Sequence, residues 1–262
     1  MFRKKRTMYK PVQFLRGDEM PGLAGYAEYP VPPSIAAFVA CCWSVVIGGE
    51  SGVESWRILP DGCSDIIVDL VTGNSYCTGV TGETSYVPLE PGTAMFGIRF
   101  LPAAIPLLLR CDVSEFRNSG FETKYAVPAF SGTAAKVADA SSRSERLRIV
   151  CGDAERFFSR CDFGGRFLSM LGHSLDEGGR MTVEELASMH QLSAKQVTRC
   201  FRQHTGLAAK EFLQIVRFQT FLSLLQRGEG GRLFAALDAG YYDQSHACRD
   251  MRKFLGIERI AR

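Results

Sequence analysis

The chain of 262 residues carries 31 Lys and Arg against 28 Asp and Glu, a formal net charge of +3, and 46% of it is hydrophobic. This length admits one large domain or two ordinary ones, either able to bury a sizeable core, and the composition excludes a disordered chain. No apolar run approaches the roughly 20 residues of a membrane span. The basic residues Arg3, Lys4, Lys5, Arg6 and Lys10 lead into Pro11-Val12-Gln13-Phe14-Leu15-Arg16, which lacks a signal peptide's apolar stretch, so a cytoplasmic protein without membrane contact is expected.

From about 38 to 100, short β-rich runs alternate with Gly, Pro, Asn and Asp: Trp43-Ser44-Val45-Val46-Ile47, Ile66-Ile67-Val68-Asp69-Leu70 and Ala94-Met95-Phe96-Gly97-Ile98-Arg99-Phe100. Strand signals separated by turns at this spacing predict a compact antiparallel barrel or sandwich, with Pro60-Asp61-Gly62 as a tight turn between two strands. Within it, Arg57, Asp61, Asp65 and Arg99 are the polar candidates for a ligand pocket, with Trp43 and Trp56 as its aromatic walls. The competing reading is structural: Asp61 as a turn residue, Asp65 paired with Arg57 or Arg99, and both Trp in the core. If a ligand is held, Arg57 and Arg99 point to an anionic one.

After Pro102, residues 103–109 read as a short apolar helix with Pro102 suited to its first turn. From about 144 to 175 the spacing becomes helical: Leu147, Val150, Ala154, Phe157 and Phe158, then Phe167, Leu168 and Leu171, with Gly164-Gly165 as the break. Asp176-Glu177-Gly178-Gly179-Arg180 is the best linker and marks the expected domain boundary.

Nine cysteines, an odd number scattered without a C-x2-C spacing, predict neither a disulfide framework nor a zinc ribbon. Cys41-Cys42 reads as a buried pair of small residues rather than a redox couple. All four histidines (His173, His190, His204, His246) fall in the last 90 residues, which leaves the first 172 without a His-ligated metal or a His-based triad. No cofactor, metal site or catalytic residue is therefore expected.

Charge divides along the chain. Residues 180–262 hold 13 Lys and Arg against 8 Asp and Glu, whereas residues 1–179 hold 18 against 20. A basic segment binds polyanions by releasing condensed counterions, which directs attention to the carboxyl-terminal third. There Thr182 and Glu185 form a capping box ahead of Val183, Leu186 and Ala187. His190-Gln191-Leu192 is a turn, Ser193 caps a second helix running to about 204, and Gly206 ends it. A long helix follows over about 208–226, ended by Gly228 to Gly231. A shorter one covers 233–239, and after Gly240-Tyr241-Tyr242-Asp243 a last helix covers 244–255, closed by Gly256.

Arg199 and Arg249, Phe201 and Met251, and Gly206 and Gly256 correspond at an offset of 50 residues. Each unit is a short helix, a turn and a polar, Arg-bearing helix, which is a helix-turn-helix. Such a motif lays its second helix in the major groove with its N-terminal residues toward base edges. Those positions are Ala194, Lys195, Thr198 and Arg199 in the first unit and Gln244, Ser245, His246 and Arg249 in the second. Arg202, Arg252 and Lys253 lie on the phosphate side. Arg can pair bidentately with guanine and Gln with adenine. The 19-residue connecting helix, about 28 Å long, spaces the two reading helices near one DNA turn.

These residues resemble the DNA-binding domain of the AraC/XylS family of bacterial transcription regulators. The resemblance is carried by Val183-Glu184-Glu185-Leu186-Ala187, Leu192-Ser193, Arg199-Cys200-Phe201, Thr205-Gly206 and Glu211-Phe212. Most specific is Gly240-Tyr241-Tyr242-Asp243-Gln244-Ser245-His246, followed by Arg249-Asp250 and Gly256. It implies base or groove contacts from Lys195, Thr198, Arg199, Gln244, Ser245 and Arg249. The chain departs from the family at Ala247 and Met251, where aromatics are usual, and in its tail Ile257-Glu258-Arg259-Ile260-Ala261-Arg262. More weakly, Trp43, the run Arg57 to Ile67, Gly79 and Phe96-Gly97-Ile98-Arg99-Phe100-Leu101-Pro102 resemble a domain attached to such regulators, which implies a sensor or dimerisation module.

The expectation is thus an α+β multidomain chain: a β-rich sensor or dimerisation domain over 1–143, a helical connector and linker over 144–179, and an all-α double helix-turn-helix domain over 180–262. Its expected partner is double-stranded DNA, with RNA polymerase, a small-molecule effector and a second copy of the chain as further candidates. The alternative is an enzyme-like or ligand-binding amino-terminal domain with an appended, partly degenerate DNA-binding module.

Overall fold

The computed structural model describes residues 9–13, 25–49, 54–109, 113–162, 165–228 and 231–255. The basic residues 3–6, the run 14–16, Cys111, Gly164, Gly256 and the tail 257–262 lie outside the described residues.

The turn-punctuated region forms β1 (Ala27–Tyr29), β2 (Val39–Val46), β3 (Glu54–Ile58), β4 (Ser64–Asp69), β5 (Ser75–Thr78), β6 (Ser85–Leu89) and β7 (Ala94–Phe100); β8 (Gly120–Glu122) follows later. Six of them make one antiparallel sheet in the order β1-β2-β7-β4-β5-β8, while β3 and β6 pair as a separate ribbon. β1 and β8 remain as edges, so among the described residues the sheet is open and does not close into a barrel.

Side-chain alternation gives this sheet two working faces. Cys42, Ile66, Val68, Phe96, Ile98 and Phe100 point into the main core. Cys41, Trp43 and Val45 point the other way and join Trp56 and Leu89 of the ribbon in a smaller apolar cluster. Trp43 lies opposite Gly97 in the β2–β7 register. A Cβ at position 97 would stand 2.0 Å from the Trp43 ring, so glycine makes room for the indole.

The main core is closed by α1 (Ile105–Leu108), α2 (Thr123–Ala126), α3 (Pro128–Asp139), α4 (Arg143–Phe158) and α5 (Arg166–Asp176). The short helix expected over 103–109 is α1, with Pro106 rather than Pro102 in its first turn. Helical structure also begins earlier than position 144. In α3, Phe130, Thr133, Ala134 and Val137 are buried at helical spacing. Ser131, Gly132 and Thr133 are weak helix formers, and their low propensity hides that period in the sequence. Ser142 caps α4, whose Phe158 stacks on Phe38 at 4.5 Å.

The carboxyl-terminal third forms α6 (Val183–Met189), α7 (Ala194–Thr205), α8 (Ala209–Arg227), α9 (Gly231–Asp238) and α10 (Gln244–Leu255). Capping boxes Thr182/Glu185 and Ser193/Gln196 start α6 and α7, and Gly206 and Gly228 end α7 and α8 in the left-handed conformation. The 176–180 segment is a turn packed on α8, with Thr220 Oγ1 donating to the Gly178 carbonyl at 3.3 Å. Phe201, Phe212, Phe218 and Phe254 share one continuous apolar core with the sheet residues Phe96 and Phe100.

Candidate functional site

Two regions have the geometry of a site: the exposed faces of α7 and α10, and a cavity over the ribbon face of the sheet. In α7, Val197 and Phe201 are fully buried, and Phe201 meets Phe167 and Phe212 at 5.6 and 5.4 Å. That packing turns the opposite face outward, where Lys195, Arg199 and Arg202 are exposed and Ala194 and Thr198 are half-buried. Cys200, between the two faces, is half-buried.

In α10 the equivalent positions Ala247 and Met251 are buried, with Phe254 against Phe218 at 4.9 Å. Gln244, Ser245, Arg249, Arg252 and Lys253 are exposed. His246 is half-buried, its ring edge-on to Tyr241 at 5.1 Å, and its amide donates to Asp243 Oδ1 at 2.6 Å. Asp243 therefore caps α10. Asp250 is not available to DNA: it is buried and bonded by Arg217 of α8, whose guanidinium also covers the Tyr241 ring. Lys253 Nζ is tethered to Gln214 of α8 at 3.0 Å. Lys195, Arg199, Arg202, Arg249 and Arg252 have no ion-pair partner among the described residues, so their charges are presented to solvent.

The cavity, about 350 Å³, lies between the sheet and the β3–β6 ribbon. Trp43, Trp56, Asp61, Asp65 and Arg99 line it; Arg57 does not. The reason is the two-residue period of β3: Trp56 faces the sheet, so its neighbour Arg57 faces away. Arg57 is thus removed from the pocket expected from sequence. Arg99 is 3% exposed and meets Asp65 at 3.4 Å, Glu28 at 3.7 Å and Asp61 at 3.8 Å. Asp65 also accepts from Trp43 Nε1 at 2.6 Å. Burial is the strongest influence on the Asp61 carboxyl and pushes it above its ordinary range, with Arg99 pulling it down and Asp65 pushing it further up. Burial alone would lower the Arg99 value, but Asp65 and Asp61 outweigh it and hold the guanidinium charged. Cys63 beside them is buried and driven well above the usual thiol range, which makes it a poor nucleophile.

The Pro60-Asp61-Gly62 turn joins this cavity to α8. Gln13 donates to Asp61 Oδ2 at 2.7 Å and to the Leu59 carbonyl at 3.0 Å. Its neighbour Val12 donates its amide to Gln219 Oε1 of α8 at 2.6 Å, and Gln219 Nε2 donates to the Pro60 and Val12 carbonyls at 2.9 and 3.2 Å. Gly62, at φ +72°, lies so near Phe212 that a Cβ would stand 3.0 Å from that ring. The loop after β5 and the turn before β8 also reach the helices: the Thr84 hydroxyl donates to the Phe254 carbonyl, and Arg117 and Glu211 form a bidentate pair. Sequence reading missed Gln13, Gln219, Glu28 and Ser119. For Gln219 a signal existed, since it falls on the apolar face marked by Ile215, Val216, Phe218 and Leu222.

An open antiparallel sheet with a polar-floored cavity, followed by two helix-turn-helix units on a shared helix, defines a class: a helix-turn-helix protein with an amino-terminal β-sheet region. Residues 186–258 match the model of a helix-turn-helix domain, and residues 27–122 match a domain of unknown function, DUF6597. An uncharacterised HTH-type transcriptional regulator of Haemophilus influenzae is 32% identical over 72 residues, 28% of this chain and 24% of that protein. The chain thus spans about a quarter of that relative's length. Among solved structures, apo ToxT of Vibrio cholerae strain SCE256 aligns with a TM-score of 0.41 at 9% identity over 89% of this chain and 93% of its own. Another ToxT structure aligns at 0.41 and 10% identity over 82% and 91%. The carboxyl-terminal segment thus matches a helix-turn-helix domain and the segment before it matches DUF6597, each over less than half of the chain.

Proposed function

We propose that the whole chain is a sequence-specific DNA-binding transcription regulator whose α7 and α10 enter successive major grooves. Lys195, Thr198, Arg199, Gln244, Ser245, His246 and Arg249 are the base-reading set, with Arg202, Arg252 and Lys253 on phosphates. The observation that carries this reading is the pairing of one buried apolar face with one exposed face of unneutralised arginine on both helices. Free guanidinium groups can displace counterions and pair with guanine edges. The amino-terminal domain, ending near position 143, is the sensing module; the 144–179 helices connect it to the DNA-binding domain from 180 onward, and the cavity holds a small effector. Such a protein works in the cytoplasm on the chromosome, meets RNA polymerase at its promoters, and pairs with a second copy where operators are repeated. It does no turnover chemistry. No helix among the described residues is long and apolar enough to cross a membrane.

Selecting bound fragments from genomic DNA with the purified protein should retrieve two boxes about one helical turn apart. On such a site Arg199→Ala is expected to cost about 1–3 kcal/mol, roughly 5- to 150-fold in affinity, with discrimination relaxed at one base pair. Fluorescence anisotropy at fixed salt measures it. Wild-type affinity together with wild-type base preference in the variant would remove Arg199 from the reading set.

A further inference from the structure

The cavity's wall chemistry narrows what it can hold, given the sensing role proposed above. Three carboxylates, Asp61, Asp65 and Glu83, line it against one cation, Arg99. That cation is already committed to Asp65, Asp61 and Glu28 at 3.4 to 3.8 Å. An incoming anion would have to share Arg99 with three carboxylates and face Asp65 and Glu83 directly, and like charges at close range are disfavoured. An incoming cation meets the opposite situation. Asp61 is closed off by Gln13 and the Cys63 amide, whereas the Asp65 side chain keeps 16% of its surface exposed and uses only part of its accepting capacity on Trp43 and Arg99.

A second observation is independent of the carboxylates. Trp56 Nε1 and Ser119 Oγ are buried without any hydrogen-bond partner, and both residues line this cavity. Trp56 is only 3% exposed. Buried donors are nearly always satisfied in folded proteins, and two orphans around one void call for an acceptor from outside the chain. Trp56, Ile58, Ile67 and Val87 supply apolar wall on the same cavity, and indole rings attract cations.

We propose that the cavity binds a small organic cation: a protonated amine with a hydrogen-bond acceptor a few atoms away, its ammonium against Asp65 and its acceptor toward the Trp56 indole N–H. The only two tryptophans of the chain, Trp43 and Trp56, both line the cavity, so tryptophan emission of the full-length protein reports its occupancy. Titrating with 5-amino-1-pentanol, 1,5-pentanediol and 5-hydroxypentanoate at neutral pH compares a cation, a neutral molecule and an anion of one shape. The amine is expected to bind about ten-fold or more tighter than the anion, with the diol between them, and to lose most of that margin in Asp65→Asn. Glu83→Gln, at the exposed rim, should weaken the amine several-fold and keeps the test intact if Asp65→Asn does not fold. Followed by calorimetry, Trp56→Phe should weaken 5-amino-1-pentanol but leave pentylamine, which lacks the acceptor, unchanged. Equal or tighter binding of the anion, or no response to any of the three, overturns the proposal. Operator binding separates this from the sensing role: an amine that fills the cavity without changing operator affinity removes the sensing role alone, and a preference for the anion removes the ligand class alone.

Discussion

Arg99→Met is expected to destabilise the fold by about 3–5 kcal/mol at pH 8, because it leaves buried carboxylates without their cation. The loss should shrink as pH falls. Arg99 is 3% exposed and is the charged partner of Asp61 and Asp65, so solvent does little to screen the missing charge. Asp61 is already held above its ordinary range by burial, with Arg99 as the opposing pull. Removing Arg99 lifts it further. A carboxyl whose folded value is raised contributes stability at pH below its unfolded value of about 3.9, and that contribution is lost as pH rises through the folded value. The variant therefore pays its full penalty with Asp61 ionised and recovers when the group is protonated. Urea unfolding of both proteins at pH 8 and pH 5 measures this as a smaller difference in midpoint at the lower pH. A difference that stays flat or grows toward acid would show that Arg99 holds the site by packing rather than by charge.

The helix-turn-helix units were legible because each carries its own local code. Thr182 and Ser193 sit three residues before Glu185 and Gln196, and both capping boxes are formed as the spacing requires. The buried faces of α7 and α10 follow a 3.6-residue period that no distant segment needs to complete. The strands were legible as strands, but whether the sheet closes depends on long-range pairing. The β1 and β8 edges and the separate β3–β6 ribbon have no local signature. The same limit explains Arg57. It stands beside Trp56 in sequence, and one residue of strand register decides that the indole enters the cavity while the guanidinium faces away. Gln13 and Gln219, 206 residues apart, are brought into one hydrogen-bonded seam only by the docking of the strap around Val12 and Gln13 between a turn and a helix.

That seam makes the second large prediction. Gln219 is 1% exposed, and through Val12 and Pro60 it is the polar fastening between α8 and the turn that carries Asp61. Leucine at 219 fits the helix and the volume, but it leaves the Val12 amide and two carbonyls without partners. Each such buried group costs about 1–3 kcal/mol, and because the strap can pull away to reach water the total should be about 2–4 kcal/mol. Hydrogen exchange should then show the Val12 amide losing its protection while the α7 and α10 amides keep theirs. Operator affinity without effector should stay near wild type, since the Gln219 side chain bonds to Val12 and Pro60 and not to a reading helix. What should fall is the response to cavity occupancy, because the path from Asp61 through Gln13 and Val12 to α8 is cut at its last link. Coupling between two sites is a free energy, and a shift in operator affinity on adding the effector measures it directly. If Gln219→Leu unfolds like wild type with Val12 still protected, the strap is held by Gln13 and by Tyr9, whose hydroxyl donates to the Asp61 carbonyl at 2.8 Å. If instead the strap is released and the effector response is unchanged, the signal travels by the Gly62–Phe212 contact, where a single apolar ring joins the cavity turn to the same helix.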